Sequence, residues 1–500
     1  MQKEIIQKMK KIIEENEGFD VIIVVASREN KDYWEKRLKI TKSEISSPKT
    51  KIIVVEEDWQ KEAGQLLGTL YAFKKANQIF NLRELLKNKG TLAIYHTAGH
   101  GKRIAPLCGT EVNNKPAIKL PKIIQIKNKK LLFTILEGVI FSTQIYAKSR
   151  EGRICVFWGD QIFIPSNSFK RSTCLPVEIF GIGETLFSKL SKKEWRKNWQ
   201  PYGLIISSKK RGILIREKLS WESANFLLKG KKAKIMKSLG CFSISLPFFE
   251  ILLEEFSKDI KLKRRTLNTD PHLWVPLTSE IKEYQKEGGN PLYWKRIKKI
   301  KEIFQKKSNK KRIIGVRDLG KKTIWWDYGH LRLYFLNVLK LTEKSREGEI
   351  AREFFGVKKY WIENKISQNL KIKNSLLIDS KIKSGEIENA ILIASKISKA
   401  KIKNGAIICS KTKEILPKKD KEVKNILLYN VKEEKNLIVE PAEVITDIIP
   451  LDGTKIRMRT TLLRDGKRDW KVRLPQNVFA YSEIERFLAR VADDTLRFRI

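Results

Sequence analysis

The chain contains few of the residues that build disulfide frameworks or metal centres. Among its 500 residues are 5 cysteines and 4 histidines, scattered without a CxxC pair or a metal-like grouping. This pattern excludes a disulfide scaffold and argues against a zinc site. We expect buried, reduced thiols, which are typical of a cytoplasmic protein. The cysteines are Cys108, Cys155, Cys174, Cys241 and Cys409.

Long apolar runs are also missing. The nearest, from Leu131 to Ala147, contains Glu137 and Gln144, which favours a buried helix over a membrane span. The N-terminal MQKEIIQKMKKIIEE has helical periodicity but mixed charge, and no apolar signal core follows it. We therefore expect a globular, cytoplasmic protein without membrane contact.

Acidic residues are scarce relative to basic ones. The sequence has 102 lysines and arginines against 57 aspartates and glutamates, a net charge of +45. Such a field attracts polyanions, nucleic acid among them. The basic residues are spread along the whole chain, however, instead of forming one tail or arm. We do not expect nucleic acid as the main partner, and phosphorylated small molecules fit the charge equally well.

Buried apolar runs alternate with helical segments through the first 345 residues. Residues 1–90 predict strands at Val21–Ala26 and Ile52–Val55 between helices. Residues 91–345 contain the runs TLAIYH, ICVFW, YGLIIS and TIWW, with helices between them. This alternation predicts an α/β fold with a mostly parallel sheet covered on both faces. We expect residues 91–345 to form the main domain and residues 1–90 an α/β extension packed on it.

Residues 366–416 follow a different period. The segments IKNSLLIDSKIKSGE, IENAILIASKISKAK and IKNGAIICSKT form three copies of a 15-residue repeat with a five-residue sub-period. One aliphatic residue per short strand, pointing inward, is typical of a short β-solenoid. The aliphatic positions are Ile372, Leu377, Ile382, Ile387, Leu392, Ile397, Ile402 and Ile407.

Asparagine recurs at one phase of this repeat, at Asn374, Asn389 and Asn404. We expect these residues at the corners of the coils, in a hydrogen-bonded ladder. The solenoid is expected to serve in packing or in homo-oligomerisation. Residues 417–500 predict a β-rich segment that ends in a helix, with no assigned role.

The segment TLAIYHTAGHGKRIAPLCGTEVNNKPAIKL, residues 91–120, is the main candidate site. A buried strand runs into a loop that contains Gly99 and Gly101, followed by Lys102 and Arg103. Glycines let backbone N–H groups approach a phosphate closely, and arginine can bind phosphate through two donors. In an α/β sheet such a loop lies beyond the carboxyl end of a strand, where ligands bind.

This segment resembles the signature of the sugar-nucleotide pyrophosphorylases, also called sugar-1-phosphate nucleotidyltransferases. In that family a glycine loop with an arginine precedes Pro-Leu and Lys-Pro, here Pro106-Leu107 and Lys115-Pro116. The resemblance implies a Rossmann-like nucleotidyltransferase domain, followed by a solenoid of the left-handed β-helix type. It implies nucleotide binding by Gly99, Gly101 and Lys102, and catalytic phosphate stabilisation by Arg103 and Lys115.

Three further elements occur in the family's order. ICVFWGDQIFI contains Asp160, RGILIREKLS contains Glu217 and Lys218, and TIWWDYGHLRLY contains Asp327. The resemblance implies that Asp160 and Asp327 bind Mg²⁺, while Glu217 and Lys218 contact the sugar and its phosphate. Asp270 and His330 are two further candidates for the site, but a structural role is favoured for each.

The chain departs from the family pattern in the loop. The spacing from Pro106 to Lys115 is longer than usual, Asn114 replaces a proline, His100 is bulky, and Leu219 replaces the proline after Glu-Lys. The layout of the first 90 residues loosely resembles the fucose-1-phosphate guanylyltransferases, which favours GTP and fucose 1-phosphate. The five-residue step also differs from the six-residue step usual in left-handed β-helices.

The resemblance implies an enzyme that joins an NTP to a sugar 1-phosphate, with Mg²⁺ as cofactor, and releases pyrophosphate. The alternative is a catalytically inactive regulatory or scaffold paralogue that binds sugar nucleotides. An acyltransferase is less favoured, because no histidine occurs between Ile366 and Pro417 to act as a base.

Overall fold

The computed structural model describes most of the chain, and three residues named above, His100, Cys174 and Asp270, lie outside the described part. The described residues are 2–59, 63–97, 99, 101–167, 175–208, 212–228, 230, 232–263, 273–357, 361–367, 369–419, 421–450 and 453–488.

From Gln2 to Leu262 the chain alternates strands with helices. The strands are β1 (Val21–Ala26), β2 (Lys51–Glu56), β3 (Leu92–His96), β4 (Lys119–Ile126), β5 (Lys129–Thr134), β6 (Arg153–Trp158), β7 (Gln161–Ile164), β8 (Val177–Leu186), β9 (Gly203–Ser208), β10 (Gly212–Glu217) and β11 (Lys234–Ser245). The helices are α1 (Gln2–Glu14), α2 (Lys31–Ile45), α3 (Gln65–Ile79), α4 (Leu82–Lys87), α5 (Ile135–Thr143), α6 (Lys192–Asn198), α7 (Trp221–Leu228), α8 (Leu246–Glu255) and α9 (Ser257–Leu262).

Helices dominate the next stretch and short strands the last. The helices are α10 (Trp274–Thr278), α11 (Ile281–Lys286), α12 (Pro291–Ser308), α13 (Leu331–Leu339), α14 (Arg346–Phe355) and, near the end, α15 (Tyr481–Leu488). The strands are β12 (Ile314–Asp318), β13 (Ile324–Asp327), β14 (Trp361–Ser367), β15 (Leu370–Ile378), β16 (Lys381–Glu388), β17 (Ile391–Ile393), β18 (Lys396–Lys403), β19 (Ala406–Ile408), β20 (Lys411–Pro417), β21 (Leu427–Tyr429), β22 (Lys432–Val439), β23 (Glu443–Ile448) and β24 (Ile456–Thr461).

The main sheet has nine strands within the described residues, in the order β2–β1–β3–β6–β11–β9–β10, with β8 paired to β11 and β12 to β8. Strands β2, β1, β3 and β6 are parallel, as predicted. Strand β11 is antiparallel to β6, β8 and β9, so antiparallel strands extend the parallel part of the sheet and the sheet as a whole is mixed. Strand β10 follows β9 through a connection too short for the helical crossover that parallel neighbours need. The sheet also continues across residue 90, because β1 pairs with both β2 and β3.

Both faces of the main sheet are covered, as predicted. Alternate side chains of β1 point to opposite faces: Ile22 and Val24 belong to one hydrophobic cluster, Ile23 and Val25 to the other. The first cluster includes side chains from α1, α2, α5, α13 and α14. The second includes side chains from α3, α8, α10 and α12.

The apolar run from Leu131 to Ala147 is not one helix. Its first residues complete β5, which pairs with β4, and helix α5 begins only at Ile135. The helix begins there because Thr134 and Glu137 form a capping box, a local signal that periodicity alone does not reveal. In the described part of the chain, no helix has both the length and the apolar character needed to cross a membrane.

A buried ion pair ties helix α2 to helix α5. Arg37 Nε and Nη2 donate to the Glu137 carboxylate at 2.7 and 2.9 Å, and Nη2 also donates to the Leu132 carbonyl at 2.6 Å. Both side chains are almost fully excluded from solvent. Burial alone would raise the pKa of Glu137, but the charge and hydrogen bonds of Arg37 hold that pKa below its usual value.

The second sheet, which we call the coil sheet, comprises β14–β24, eleven strands within the described residues. Its central strands are parallel and pair at an offset of one repeat: Ile372 lies beside Ile387, and Ile387 beside Ile402. Antiparallel pairing occurs where β14 meets β15 and where β23 meets β24. The predicted 15-residue spacing is thus the spacing of the strand register.

The side chains at the predicted aliphatic positions lie in the interior of the coil. They form one hydrophobic cluster, with Leu377 at its edge and the other seven positions buried. The residues on either side of them, such as Leu376, Ile391 and Ile393, belong instead to the first cluster of the main sheet. One face of the coil sheet is therefore packed against the main sheet.

Asparagines occupy coil corners, as predicted. Asn374, Asn389 and Asn404 all have φ between 47° and 52°, a left-handed conformation that asparagine tolerates better than most residues. The side chain of Asn374 donates to Asn389 Oδ1 at 2.5 Å, one step of the expected ladder. At another corner, Ser395 Oγ accepts from the backbone N–H of Ser410 at 3.0 Å.

We expect Arg37→Leu to lower the free energy of unfolding by about 3–5 kcal/mol, because the Glu137 carboxylate is left buried without its partner. Urea denaturation measures the change. The double variant Arg37→Leu, Glu137→Leu should recover most of the loss. As a matched control, Arg83→Leu removes an exposed partner of Glu250 and should cost less than about 1 kcal/mol.

The same pair predicts a pH dependence. The folded-state pKa of Glu137 is depressed, so its contribution is complete above the unfolded value of about 4.3 and is lost as pH falls through the folded pKa. Acidification should therefore destabilise the wild type relative to the double leucine variant. A stability difference that does not change with pH would contradict this.

Candidate functional site

Asp160 lies at the carboxyl end of a central strand. It follows β6 after a single glycine, and the residue is 8% exposed. The preceding Gly159 donates its N–H to the His96 carbonyl at 3.0 Å, and a Cβ at Gly159 would lie 2.9 Å from the same oxygen. This close approach holds Asp160 beside the end of β3, from which the glycine loop begins.

A separate two-stranded sheet brings Asp327 close to Asp160. Strand β13 pairs antiparallel with β7, which places Asp327 opposite Gln161. The backbone N–H of Tyr328 donates to the Asp160 carbonyl at 2.9 Å. The predicted strand TIWW is thus a strand, but it pairs with β7 and not with the main sheet.

Gly329 marks the point at which the predicted charged residues converge. A Cβ at Gly329 would lie 2.8 Å from Asp160 Oδ2, 3.0 Å from Asp327 Oδ1 and 3.5 Å from Arg103 Nη2. The Gly329 N–H also donates to Asp327 Oδ1 at 2.7 Å. Any side chain here would enter the space between the two carboxylates, which the glycine leaves open.

Lys115 completes the group. Its ammonium lies 2.5 Å from Asp160 Oδ2, and its Cβ lies 3.1 Å from the position of a Cβ at Gly101. Lys115 begins a short 3-10 turn that Pro116 favours, because proline suits the start of a helical turn. The structure therefore brings together two carboxylates and two cations, Asp160 and Asp327 with Arg103 and Lys115.

The Asp327 carboxylate is perturbed by its surroundings. Burial, and then the negative charge of Asp160, raise the pKa of Asp327 above its usual value. The Gly329 N–H and the charges of Arg103 and Lys115 oppose this rise without cancelling it. Two carboxylates that face one space suit a hard divalent cation such as Mg²⁺, which prefers oxygen ligands.

Asp160 and Asp327 would have to share that cation with oxygens from a ligand. Within the described residues, no group of three or more histidine, cysteine, aspartate or glutamate side chains could hold a metal ion. A site with few protein carboxylates is usual for Mg²⁺ that is bound together with substrate phosphates. The donor set therefore fits magnesium carried on a phosphate.

The glycine loop, residues 99 and 101–118, lies beside this group. Gly101 has φ 60°, a left-handed conformation that glycine adopts without steric cost. Gly99 has φ 129°, and a Cβ there would meet nothing within 4 Å. The side chain of Lys102 is directed to the ring of Trp470, with its ammonium 5.2 Å from the ring centroid.

Glu217 and Lys218 lie at the end of β10, beside Tyr202 and not at Gly329. Lys218 has φ 49° and donates its N–H to the Tyr202 carbonyl at 3.1 Å. The Tyr202 ring lies 5.1 Å from that of Trp325, and burial followed by the charge of Asp327 raises the pKa of Tyr202. Tyr202 thus stands between the predicted sugar-binding pair and the aspartates.

The structure adds residues that the sequence analysis missed. Lys237 lies 5.0 Å from the ring centroid of Tyr202, and burial lowers the pKa of its ammonium. Asn337 donates to the Asp327 carbonyl at 2.9 Å. A lysine between the apolar residues of IMKSL, inside β11, was the available signal for Lys237. His330 precedes α13, and its buried Nδ1 has no hydrogen-bond partner among the described residues.

A second buried ion pair anchors the far end of the loop to the coil sheet. Lys119 Nζ donates to Glu111 Oε2 at 2.9 Å, and Tyr429 of β21 donates to Glu111 Oε1 at 2.7 Å. Tyr429 Oη also accepts from the Lys119 N–H at 3.0 Å, and Tyr334 of α13 donates to the Lys119 carbonyl at 2.6 Å. The loop is therefore fixed between the two sheets.

Neither the known protein families nor the curated proteins include a match to this sequence.

We expect Asp327→Asn to raise the free energy of unfolding of the metal-free protein by about 1 kcal/mol at pH 7, a gain typical of relieving a strained functional site. The reason is that burial and Asp160 disfavour the ionised carboxylate. Thermal unfolding in the presence of a chelator measures the effect. Because the folded-state pKa is raised, the gain should disappear near pH 3, where the carboxyl is protonated in both states.

The matched control is Asp447→Asn. Asp447 accepts from Arg457 Nε and Nη2 at 2.7 and 2.8 Å, so the same chemical change should there reduce stability. If Asp327→Asn is also destabilising at pH 7, the two aspartates do not repel each other as described.

Proposed function

We propose that this protein transfers a nucleotidyl group from an NTP to a sugar 1-phosphate, releasing pyrophosphate and forming an NDP-sugar. The observation that carries the proposal is the convergence of Arg103, Lys115, Asp160 and Asp327 around Gly329. These residues are distant in sequence, and each was assigned to the site from its motif alone. Three of them are the phosphate-binding and metal-binding positions that such a reaction needs, and Lys115 provides a further cation.

The finer architecture is part of the same proposal. We assign the α/β part to the Rossmann-like nucleotidyltransferase type, which the parallel strands β3 and β6 support, since the glycine loop and Asp160 follow them at one edge. We assign the coil sheet to the left-handed β-helix type, supported by its 15-residue register. A cytoplasmic location is supported by the free cysteines of the described residues. Homo-oligomerisation through the coil sheet stays a proposal.

In the proposed reaction, a phosphate oxygen of the sugar 1-phosphate attacks the α-phosphorus of the NTP. The new O–P bond forms as the bond from the α-phosphorus to the bridging oxygen breaks, and pyrophosphate leaves with that electron pair. No general base is required, because the attacking phosphate is already an anion at neutral pH. Catalysis then consists of positioning and charge stabilisation.

The charged residues divide this task. Asp160 and Asp327 would hold Mg²⁺, which supplies Lewis-acid stabilisation of phosphate charge. Arg103 and the loop N–H groups near Gly101 would bind the triphosphate. Lys115, held 2.5 Å from Asp160, would stand beside the transferred phosphate and offset its charge.

The sugar would lie toward Glu217 and Lys218. Glu217 would accept hydrogen bonds from sugar hydroxyls, and Lys218 would pair with the sugar phosphate. Tyr202 and Lys237 would line the space between these residues and Asp327, and a half-buried lysine there suits an anionic substrate. The loose resemblance to guanylyltransferases makes GTP and fucose 1-phosphate the first pair to test.

Pyrophosphate release with Mg²⁺, measured across the common NTPs and a panel of sugar 1-phosphates, tests the reaction. We expect one NTP–sugar pair to give magnesium-dependent release. Asp160→Ala and Asp327→Ala should each lower kcat about 100-fold or more, through lost charge stabilisation. The matched control is Asp379→Ala, which should retain activity. Asp379 is exposed at a corner of the coil sheet and pairs there with Lys130.

Silence across the whole panel, from protein shown to be folded, would favour the alternative of a regulatory or scaffold paralogue. Equilibrium binding of the corresponding NDP-sugars would then distinguish a binding protein from one that binds none. Near-normal magnesium-dependent turnover in either alanine variant would remove that aspartate from the metal site.

Gly329→Ala tests the convergence without changing any charge. Its methyl group would fall within 3.0 Å of both carboxylates. We expect the Mg²⁺ concentration for half-maximal activity to rise about 10-fold, while the protein still folds. Unchanged magnesium dependence would show that the space beside Gly329 is not the metal position.

A further inference from the structure

The final described part of the chain, residues 453–488, which we call the C-terminal segment, closes over the glycine loop. Tyr481, the first residue of α15, is 4% exposed, and its hydroxyl reaches two parts of the loop. It lies 3.1 Å from Cys108 Sγ and donates to Asn113 Oδ1 at 2.8 Å. Cys108 in turn lies 3.6 Å from the carbonyl of Gly101, to which its thiol donates.

Trp470 supports the other end of the loop. Its ring lies 4.5 Å from that of Tyr481 at an interplanar angle of 49°, and its backbone carbonyl accepts from the N–H of Ser482 at 2.9 Å. The ammonium of Lys102 lies over this ring, a cation–π contact with a buried tryptophan. The ring occupies one side of the ammonium, which leaves other N–H donors for a phosphate.

Two glycines allow the backbones to come this close. A Cβ at Gly466 would overlap the carbonyl oxygen of Lys102, so the C-terminal segment rests directly on the loop backbone. A Cβ at Gly109 would lie 2.5 Å from Ile448 Cδ1 and 2.9 Å from Tyr481 Oη. The contact therefore extends along the loop from Lys102 to Asn113.

We propose that the C-terminal segment is a positioning element of the nucleotide site, with Tyr481 and Trp470 as positioning residues. This rests on the proposed function. The loop consists of short 3-10 turns, which do not hold their own conformation as a long helix does. Contacts with Tyr481 and Trp470 order the loop before the nucleotide arrives, so that binding orders less of the chain. The loop that binds the triphosphate is thereby completed by a segment more than 300 residues away.

Tyr481→Phe is the first test, because it removes both polar contacts of the hydroxyl and keeps the ring on Trp470. We expect KM for the NTP to rise about 3- to 10-fold, the effect of one lost hydrogen bond on loop order. KM for the sugar 1-phosphate should stay unchanged. Calorimetric binding of MgATP, MgGTP, MgCTP, MgUTP and magnesium dTTP should show the same loss for the nucleotide that the wild type binds.

Trp470 gives a graded series. Trp470→Phe keeps an aromatic face for Lys102 and should bind nucleotide nearly as the wild type does, whereas Trp470→Leu should bind it several-fold more weakly. The matched control is Trp294→Leu in helix α12, which removes a tryptophan 4.9 Å from Lys298 in the other hydrophobic cluster. This control should lose stability without loss of nucleotide affinity.

The outcomes are distinct. Weaker nucleotide binding in Tyr481→Phe and Trp470→Leu, with Trp294→Leu and Trp470→Phe unaffected, supports the proposal. Equal affinity in all folded variants overturns it and leaves the proposed function standing. If the wild type binds none of the five nucleotides, the proposed function itself fails, and this inference fails with it.

Discussion

Packing of the coil sheet against the main sheet is the constraint on which the candidate site depends. Leu376 and Ile391 point away from the interior of the coil and belong to the first hydrophobic cluster. This cluster also contains alternate side chains of β1, β3 and β6. The glycine loop lies between the two sheets, and the buried Glu111–Lys119 pair fixes its far end to Tyr429. Short turns alone would define the conformation of this loop poorly, so the apolar contact between the two sheets sets the positions of Arg103 and Lys115.

The ionised carboxylate of Asp327, beside Gly329, is disfavoured in the folded protein. Burial and Asp160 raise the pKa of Asp327, and the nearby cations reduce the repulsion without removing it. The Arg37–Glu137 pair, which is more deeply buried, shows the opposite arrangement, since one cation and one carboxylate satisfy each other through two hydrogen bonds. The contrast distinguishes an ion pair that stabilises the fold from a carboxylate whose ionised form the surroundings disfavour, a feature more typical of functional sites.

Much of this organisation was predictable because it is local. Strands β1, β3 and β6 were predicted from continuous apolar runs, and the coil register from a 15-residue spacing that appears directly in the letters. The run from Leu131 was misjudged because a strand and a helix that are both buried have the same apolar composition, and only the cap at Thr134 separates them. The mixed pairing of β11 was missed because strand direction depends on connections, not on composition.

By itself, the sequence determined which residues are apolar, which turns need asparagine or glycine, and which short motifs carry charge. Only the tertiary structure decided which of those charges meet. Asp160 and Asp327 converge because β7 and β13 pair, whereas Glu217 and Lys218 stand apart behind Tyr202. The role of the C-terminal segment was equally invisible, since nothing near Tyr481 in sequence points to Asn113. The spacing of a motif reflects local conformation. Long-range contacts depend on how whole sheets pack, and no single stretch of sequence encodes that packing.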